Sequence, residues 1–155
     1  MKMENAVFLR FVELGDMLAL YKWRNDPLTM ENSFNRNKVG LKDHIRWFKN
    51  SIKDSRRNIF IMVDRKGRRM GQLRFDRKGK GAEVGITIAP EFRGQGLGTW
   101  AIKMGCQIYI DNFNVSYIIA KVKISNPASL KIFTKSGFRK YKQFKEYLEL
   151  RRERV

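Results

Sequence analysis

The stretch from Ile86 to Thr99 limits what this chain can fold into more than any other. Ile86-Thr87-Ile88 alternates apolar and polar side chains at period 2, as a half-buried strand does, and Pro90 ends the run because it has no N–H for a ladder. Glycines follow at positions 94, 96 and 98. From Leu97 the apolar period becomes helical, with Leu97, Ala101, Met104 and Ile108 on one stripe and Ile102, Cys106 and Phe113 on a second. The glycines let main-chain N–H groups turn outward with no Cβ in the way. A strand, a glycine turn and a helix start in succession therefore predict an anion site, best suited to phosphate.

Two familiar phosphate motifs do not match. The dinucleotide fingerprint G-x-G-x-x-G has Thr99 where its third glycine belongs, and no Lys-Ser/Thr pair closes the turn as a P-loop requires. The pattern that fits is R-x-x-G-x-G, carried by Arg93, Gly96 and Gly98. Here the chain resembles the GNAT superfamily of acyl-CoA-dependent N-acetyltransferases. The resemblance implies that Arg93, Gly94, Gln95, Gly96, Leu97, Gly98 and Thr99 hold the coenzyme A pyrophosphate. It also implies that Ile86, Thr87 and Ile88 hold the pantetheine arm.

At 155 residues the chain is read as one domain over 1–155, long enough for a sizeable core. No apolar run approaches the roughly 18 residues of a membrane span, and no signal-peptide core is seen at the start. The lone Cys106 is expected in a helix core and not as a catalytic thiol, which suits a cytoplasmic protein. With His44 the only histidine, no metal-ligand spacing exists and none is expected. The 33 Lys and Arg against 15 Asp and Glu, a net +18, favour anionic partners. Because the charge is spread along the whole chain, nucleic acid is not the expected substrate, and a soluble basic surface is an equal reading of it.

Taken in order, Val7–Glu13 reads as an edge strand, and Asp16 as the N-cap of a helix reaching about Asn25. The segment after Pro27 through Asn35 reads as polar and irregular. Leu41, Ile45, Phe48 and Ile52 define the apolar stripe of a second helix, flanked by His44 and Trp47. Strands are expected at 58–64, 69–76 and 82–88, with Arg65-Lys66-Gly67-Arg68 as a hairpin turn. The apolar run 117–122 reads as a central strand, Asn126-Pro127 as N-cap and first position of a helix ending at Gly137, and 138–143 and 146–150 as a closing hairpin. The fold class is thus α+β, a mixed but mostly antiparallel sheet of about seven strands flanked by about four helices. This order is similar to the GNAT arrangement over essentially the whole chain.

A second motif supports the resemblance. Asn126-Pro127-Ala128-Ser129 through Phe133, Lys135 and Gly137-Phe138 resembles the family's N-x-x-S/A-x-x-x-Y-x-K-x-G-F element. Carried over, Asn126 contacts the pantetheine and Ser129 the coenzyme, beside the plainer reading of Asn126 as an N-cap. The family often has tyrosine where this chain has Phe133, and that tyrosine usually protonates the leaving thiolate. Phenylalanine has no proton to give, so this step must use another group or water.

Acetyl transfer from a thioester needs a neutral amine, so an alkylammonium must lose its proton. Glu83 is the first candidate base: Glu83, Gly85 and Thr87 share one strand face, and a half-buried carboxylate beside Gly85 is expected to have a raised pKa. A strand-end ion pair with one of the many lysines is the alternative. A main-chain N–H between Ile86 and Ile88 would meet the oxyanion. His44 is the second candidate, as a base, a substrate contact or simply a packed residue.

The N-terminal third carries the acceptor expectation. Trp23-Arg24-Asn25-Asp26 and His44-x-x-Trp47-Phe48 resemble the pseudaminic-acid-type N-acetyltransferases, which act on nucleotide-linked amino sugars. That resemblance implies Trp23, Arg24, Asn25, His44 and Trp47 as substrate-binding residues. Arg24 would meet a nucleotide diphosphate and the aromatics would stack on a base or sugar; core tryptophans and an Arg24 ion pair are the alternative. Three function classes stay open: an N-acetyltransferase of a nucleotide amino sugar in cell-surface glycan synthesis, a protein N-terminal acetyltransferase of the ribosomal-protein type, and a non-catalytic acyl-CoA-binding module. The expected co-substrate is acetyl-CoA, the partner a small-molecule amine, and a homodimer is left open.

Overall fold

Short strands with alternating burial and tight basic turns generate a single seven-stranded sheet in this computed structural model, which describes residues 6–154. The strands are β1 (Val7–Phe11), β2 (Arg57–Asp64), β3 (Arg69–Lys78), β4 (Gly81–Ile88), β5 (Tyr117–Lys123), β6 (Arg139–Gln143) and β7 (Tyr147–Glu153). Their order is β1-β2-β3-β4-β5-β7-β6, antiparallel everywhere except between β4 and β5. The β2–β3 turn forms as expected: Gly67 has φ +77°, and the Asp64 carboxylate accepts from the main-chain N–H of Lys66 and Arg68, both at 2.9 Å. The β6–β7 hairpin also forms, with β7 placed inside it against β5.

Five helices cover the sheet: α1 (Met17–Arg24), α2 (Pro27–Asn32), α3 (Leu41–Lys53), α4 (Leu97–Phe113) and α5 (Pro127–Lys135). One face packs Leu73, Phe75 and Val84 against Leu97, Ala101, Ile102, Cys106 and Tyr109 of α4. The other packs Ile59 and Ile61 against Leu20 and Trp23 of α1 and Phe48 of α3. Gly98 serves this packing, since a Cβ there would come within 2.8 Å of the Ile132 side chain of α5.

Several local expectations are corrected. The segment after Asp26 is helical: Asp26 accepts from Thr29 N–H at 3.2 Å and Pro27 takes the first position, the same Asx-Pro start that opens α5. Asp16 does not cap α1 with its side chain. Its carboxylate is buried instead, held by Arg10 at 2.8 and 2.9 Å, Arg69 at 2.7 Å and the Glu13 N–H at 2.7 Å. Burial alone would raise its pKa, but these donors outweigh it and lower it to about 2. In α3 the buried face is rotated from the expected stripe: Leu41 and Ile52 are 43% and 41% exposed, whereas His44 is 3% exposed. The reason is the neighbour. The α1 main chain offers an acceptor at Met17 O, 2.8 Å from His44 Nε2, and Tyr21 lies across the imidazole ring. On α4, Met104 is 44% exposed, and Gly105 and Tyr109 take buried positions beside Cys106.

Candidate functional site

The main cleft arises where the parallel pair, β4 and β5, gives way. β4 and β5 are in register from Gly81↔Tyr117 to Glu83↔Ile119 and no further. β3 continues to pair with β4 out to Ile88, and β7 with β5 out to Lys123, so the two strands diverge past Glu83. The result is an opening of about 820 Å³, within the range of small-molecule sites. Its walls are the β4 segment from Glu83 to Ile88, the loop and first turn of α4, and the face of α5.

The glycine loop is built for an anion. Gly94 and Gly96 have φ +73° and +77°, conformations that side-chain-bearing residues rarely adopt, and a Cβ at either would meet open space, not protein. The first N–H groups of α4 have no intrahelical acceptor; Trp100 N–H is the first to close back, onto Gly96 O at 3.2 Å. Ile86, Thr87, Ile88, Arg93, Gly94, Gly96, Leu97, Gly98, Thr99, Asn126 and Ser129 all line the cleft; Gln95 belongs to the loop but not to the lining.

Two of these residues are already engaged. The Arg93 guanidinium donates to Asp26 Oδ2 at 2.6 Å and to Thr29 Oγ1 at 3.2 Å, tying the loop to α2. Asn126 Oδ1 accepts from Ser129 N–H at 3.2 Å, so the N-cap reading holds while its amide NH₂ remains for other contacts. Lys121, Lys123 and Lys131 also line the cleft and were not singled out from the sequence; Lys135, the lysine of the second motif, lines it with them. The 131/135 spacing on a helix was the available signal, since i and i+4 share a face. These cations and main-chain donors fit a polyphosphate ligand such as coenzyme A.

Glu83 stands at the point of divergence and lines the cleft. Its Oε1 accepts from Lys78 Nζ at 2.8 Å, and Lys121 Nζ lies 3.4 Å away. Burial pushes its carboxyl up, but the two ammonium groups outweigh that and hold it below the ordinary value, the reverse of the expected raised pKa. Phe133 is buried in the cleft wall with its ring edge-on to Phe138. Burial pushes the Cys106 thiol up to about 12, as fits a core residue.

The other predicted residues divide on the opposite side of the site. Trp23 is core. Asn25 clamps the 33–40 segment, donating to Val39 O and accepting from Val39 N–H, both at 2.8 Å. Arg24, His44 and Trp47 meet, with Val39, Gln72 and Arg74, around a second cavity of about 260 Å³. Arg24 donates to Asn35 O at 2.7 Å; it pairs with neither Asp26 nor Asp43 in the structure. Burial pushes the His44 imidazole down, so it is neutral at pH 7, and His44 lies outside the main cleft. Among the described residues no group of His, Cys, Asp and Glu could hold a metal ion, and no helix is long and apolar enough to cross a membrane.

Comparison with known proteins bears on this geometry. The family model described as the acetyltransferase (GNAT) domain matches residues 6–139. An uncharacterized N-acetyltransferase of Methanocaldococcus jannaschii is 28% identical over 93 residues, which cover 59% of this chain and 60% of that protein's length. Among solved structures, the spermidine N-acetyltransferase of Vibrio cholerae, in complex with CoA and spermine, superposes with a TM-score of 0.86 at 20% identity, covering 94% of both chains. AAC(6')-Ib in complex with paromomycin and acetyl-CoA gives 0.83 at 16% identity, over 96% of this chain and 94% of that one. Both establish the shared fold. The strand divergence, the positive-φ glycine loop and the family match agree, and the chain belongs to the acetyltransferase (GNAT) domain family.

Proposed function

We propose that this chain transfers acetyl from acetyl-CoA to a primary amine on an anionic small molecule, the amino group of a nucleotide-linked amino sugar. The observation that carries the acceptor assignment is the arginine-lined cavity: Arg24 and Arg74 face it in a chain of net charge +18, with four lysines around the adjoining cleft. A polycation such as spermine, bound by the Vibrio cholerae structure, meets repulsion on such a surface, whereas a nucleotide diphosphate meets attraction. In the lysine-rich cleft the acidic side chain is Glu83, already paired with Lys78 and Lys121, which disfavours docking of a peptide through added carboxylates; Glu83 faces the cleft, not the core, which weighs against a non-catalytic module.

The residues divide the work as follows. Acetyl-CoA supplies the activated acyl group and a thiolate leaving group. Main-chain N–H groups of the glycine loop and the α4 start bind phosphate, and Asn126 and Ser129 orient the arm beside β4. Glu83, ionised at neutral pH, takes the proton that the amine loses as its nitrogen bonds to the acetyl carbon. A main-chain N–H between Ile86 and Ile88 meets the oxyanion before the carbon–sulfur bond breaks. The thiolate takes its proton from water, since Phe133 has none. The cytoplasm is the proposed location.

The test is mass spectrometry of products after incubation with acetyl-CoA and a panel of nucleotide-linked amino sugars, free amino sugars, polyamines, aminoglycosides and N-terminal peptides. Preferred acetylation of a nucleotide-linked sugar is expected; equal or better use of the free sugars, polyamines or peptides overturns the reading. Within that panel, Arg24→Ala should raise KM for the nucleotide sugar by about 10- to 100-fold, the scale of one charge-assisted contact. Acetyl-CoA affinity should be unchanged.

A further inference from the structure

Three residues around the 260 Å³ cavity each carry a buried polar atom without a hydrogen-bond partner: Arg24 Nη1, Gln72 Oε1 and Arg74 Nε. A native fold leaves few such atoms, and each costs free energy that a ligand can recover. Two are guanidinium donors and one is an amide acceptor. Arg74 Nε has an ion-pair neighbour, Asp76 Oδ2 at 3.2 Å, but not aligned as a hydrogen bond, and its guanidinium also lies over the Trp47 ring at 5.9 Å. The unmet capacity thus asks for two complementary things at once, a negative charge and a proton donor beside it.

The cavity also sits where an acceptor could use it. Gln72 pairs with Thr87, Arg74 with Gly85 and Asp76 with Glu83 across β3 and β4, so all six lie on one sheet face. Arg74 and Glu83 are then about two residue steps apart along the strands, roughly 7 Å. Arg74 lines both the cavity and the main cleft. A volume of about 260 Å³ falls just below the range that takes a whole small ligand, so the cavity suits one head group of a larger molecule. Asp43 stands at the rim with its side chain largely exposed, 3.9 Å from Arg46, and adds no buried negative charge.

We propose that this cavity is a specificity site for a single anionic group bearing an adjacent hydroxyl or N–H, either a phosphate monoester or a hydroxy- or amino-carboxylate, carried by the acceptor. Arg24 and Arg74 bind the charge, and Gln72 Oε1 accepts the proton beside it. The inference rests on reading this face as the acceptor side; the group it requires belongs to the acceptor in addition to a nucleotide diphosphate, whose doubly esterified phosphates carry no proton to give Gln72.

The experiment needs neither acetyl-CoA nor turnover, so its failure is separable from failure of the amino-sugar assignment. The full chain is titrated at constant ionic strength and pH 7 with inorganic phosphate, glycolate and sulfate, following tryptophan fluorescence, with Trp47→Phe to identify the signal from the cavity wall. Phosphate or glycolate should saturate the signal, and sulfate, which carries no proton, should bind about 10-fold more weakly, one hydrogen bond's worth. Gln72→Leu should bring the preferred anion down to the sulfate level. Arg24→Ala should weaken all three by about 10-fold or more. Gln72→Met and Arg24→Lys, checked by thermal melting, guard against misfolding: the first should behave as Gln72→Leu and the second should recover part of the loss. Phosphate preferred over glycolate identifies a phosphate monoester, and the reverse a carboxylate; both support the site. No saturation, or equal binding of all three anions to the native chain, or titrations unmoved by Gln72→Leu and Arg24→Ala, overturns it.

Discussion

The two sides of β4 are built by different means. On the cofactor side the binding groups are main-chain atoms of one continuous stretch, shaped by the positive φ of Gly94 and Gly96 and by the start of α4. On the acceptor side the wall is assembled from side chains far apart in sequence: Arg24 from α1, Val39 from the loop that Asn25 clamps, His44 and Trp47 from α3, Gln72 and Arg74 from β3. The first kind of site is local and generic to a family that always binds the same molecule. The second depends on packing between segments, and can change with single substitutions while the fold stands. Substitutions on either side of Glu83 should therefore separate cleanly.

The sharpest break of the contrast is Gly96→Val. A β-branched side chain at φ +77° both strains the loop and projects into the space the phosphate needs. Acetyl-CoA affinity, read by calorimetry on a variant shown to be folded, should fall by more than about 100-fold, the loss of two or more charge-assisted contacts; unchanged affinity would remove the loop from the cofactor site. Next is Glu83→Gln, which touches the chemistry between the two sides. The turnover rate at pH 7 should drop by roughly 100-fold and recover at high pH, where the amine is already neutral. Since Lys78 and Lys121 hold the Glu83 carboxyl below its ordinary value, the group is ionised throughout the neutral range, at the cost of some base strength, and the native rate should not fall with acidity on its account until below the ordinary carboxylate range. A rate within about two-fold of native would hand the proton to water.

On the acceptor side, Asn25→Ala removes both hydrogen bonds to Val39 and should raise the acceptor KM by about 5- to 30-fold, from roughly 1–2 kcal/mol of lost positioning. Acetyl-CoA affinity should be unaltered; a matching loss of cofactor binding would dissolve the distinction between the sides. The scaffold beneath this side depends on Asp16. Its folded pKa of about 2 lies below the unfolded value of about 3.9, so its stabilisation is present above the unfolded pKa and is lost as pH falls through about 2. Asp16→Asn should lower stability by about 3 kcal/mol at pH 7, leaving Arg10 and Arg69 without their anion, and flatten the acid limb of a Tm-versus-pH curve. The smallest effect is expected from Phe133→Tyr. If water already protonates the thiolate, the rate should change by less than about two-fold, and a larger gain would show that proton delivery limits the native chain.

What the sequence determined by itself lies where short-range rules act. The strand, glycine turn and helix of 86–113, the Asp64–Arg68 turn and the Asn126-Pro127 helix start are each specified by residues within a few positions of one another, through φ preference, capping and apolar period. The same rule was available at Asp26-Pro27 and predicts α2 as well, although the polar residues after it read as irregular. The tertiary structure alone decided the rest. Which face of α3 is buried followed from the acceptor at Met17 O, and whether Asp16 caps a helix or anchors two arginines followed from where β1 and β3 pass. The charge state of Glu83 followed first from Lys78 across the β3–β4 turn and then from Lys121, on a strand that the parallel pairing brings near. Gln72 and Arg74, which carry no motif, became site residues because β3 presents alternate side chains to the face where α1 and α3 leave a gap. Such contacts are set by packing between segments dozens of residues apart, and no local pattern in the chain encodes them.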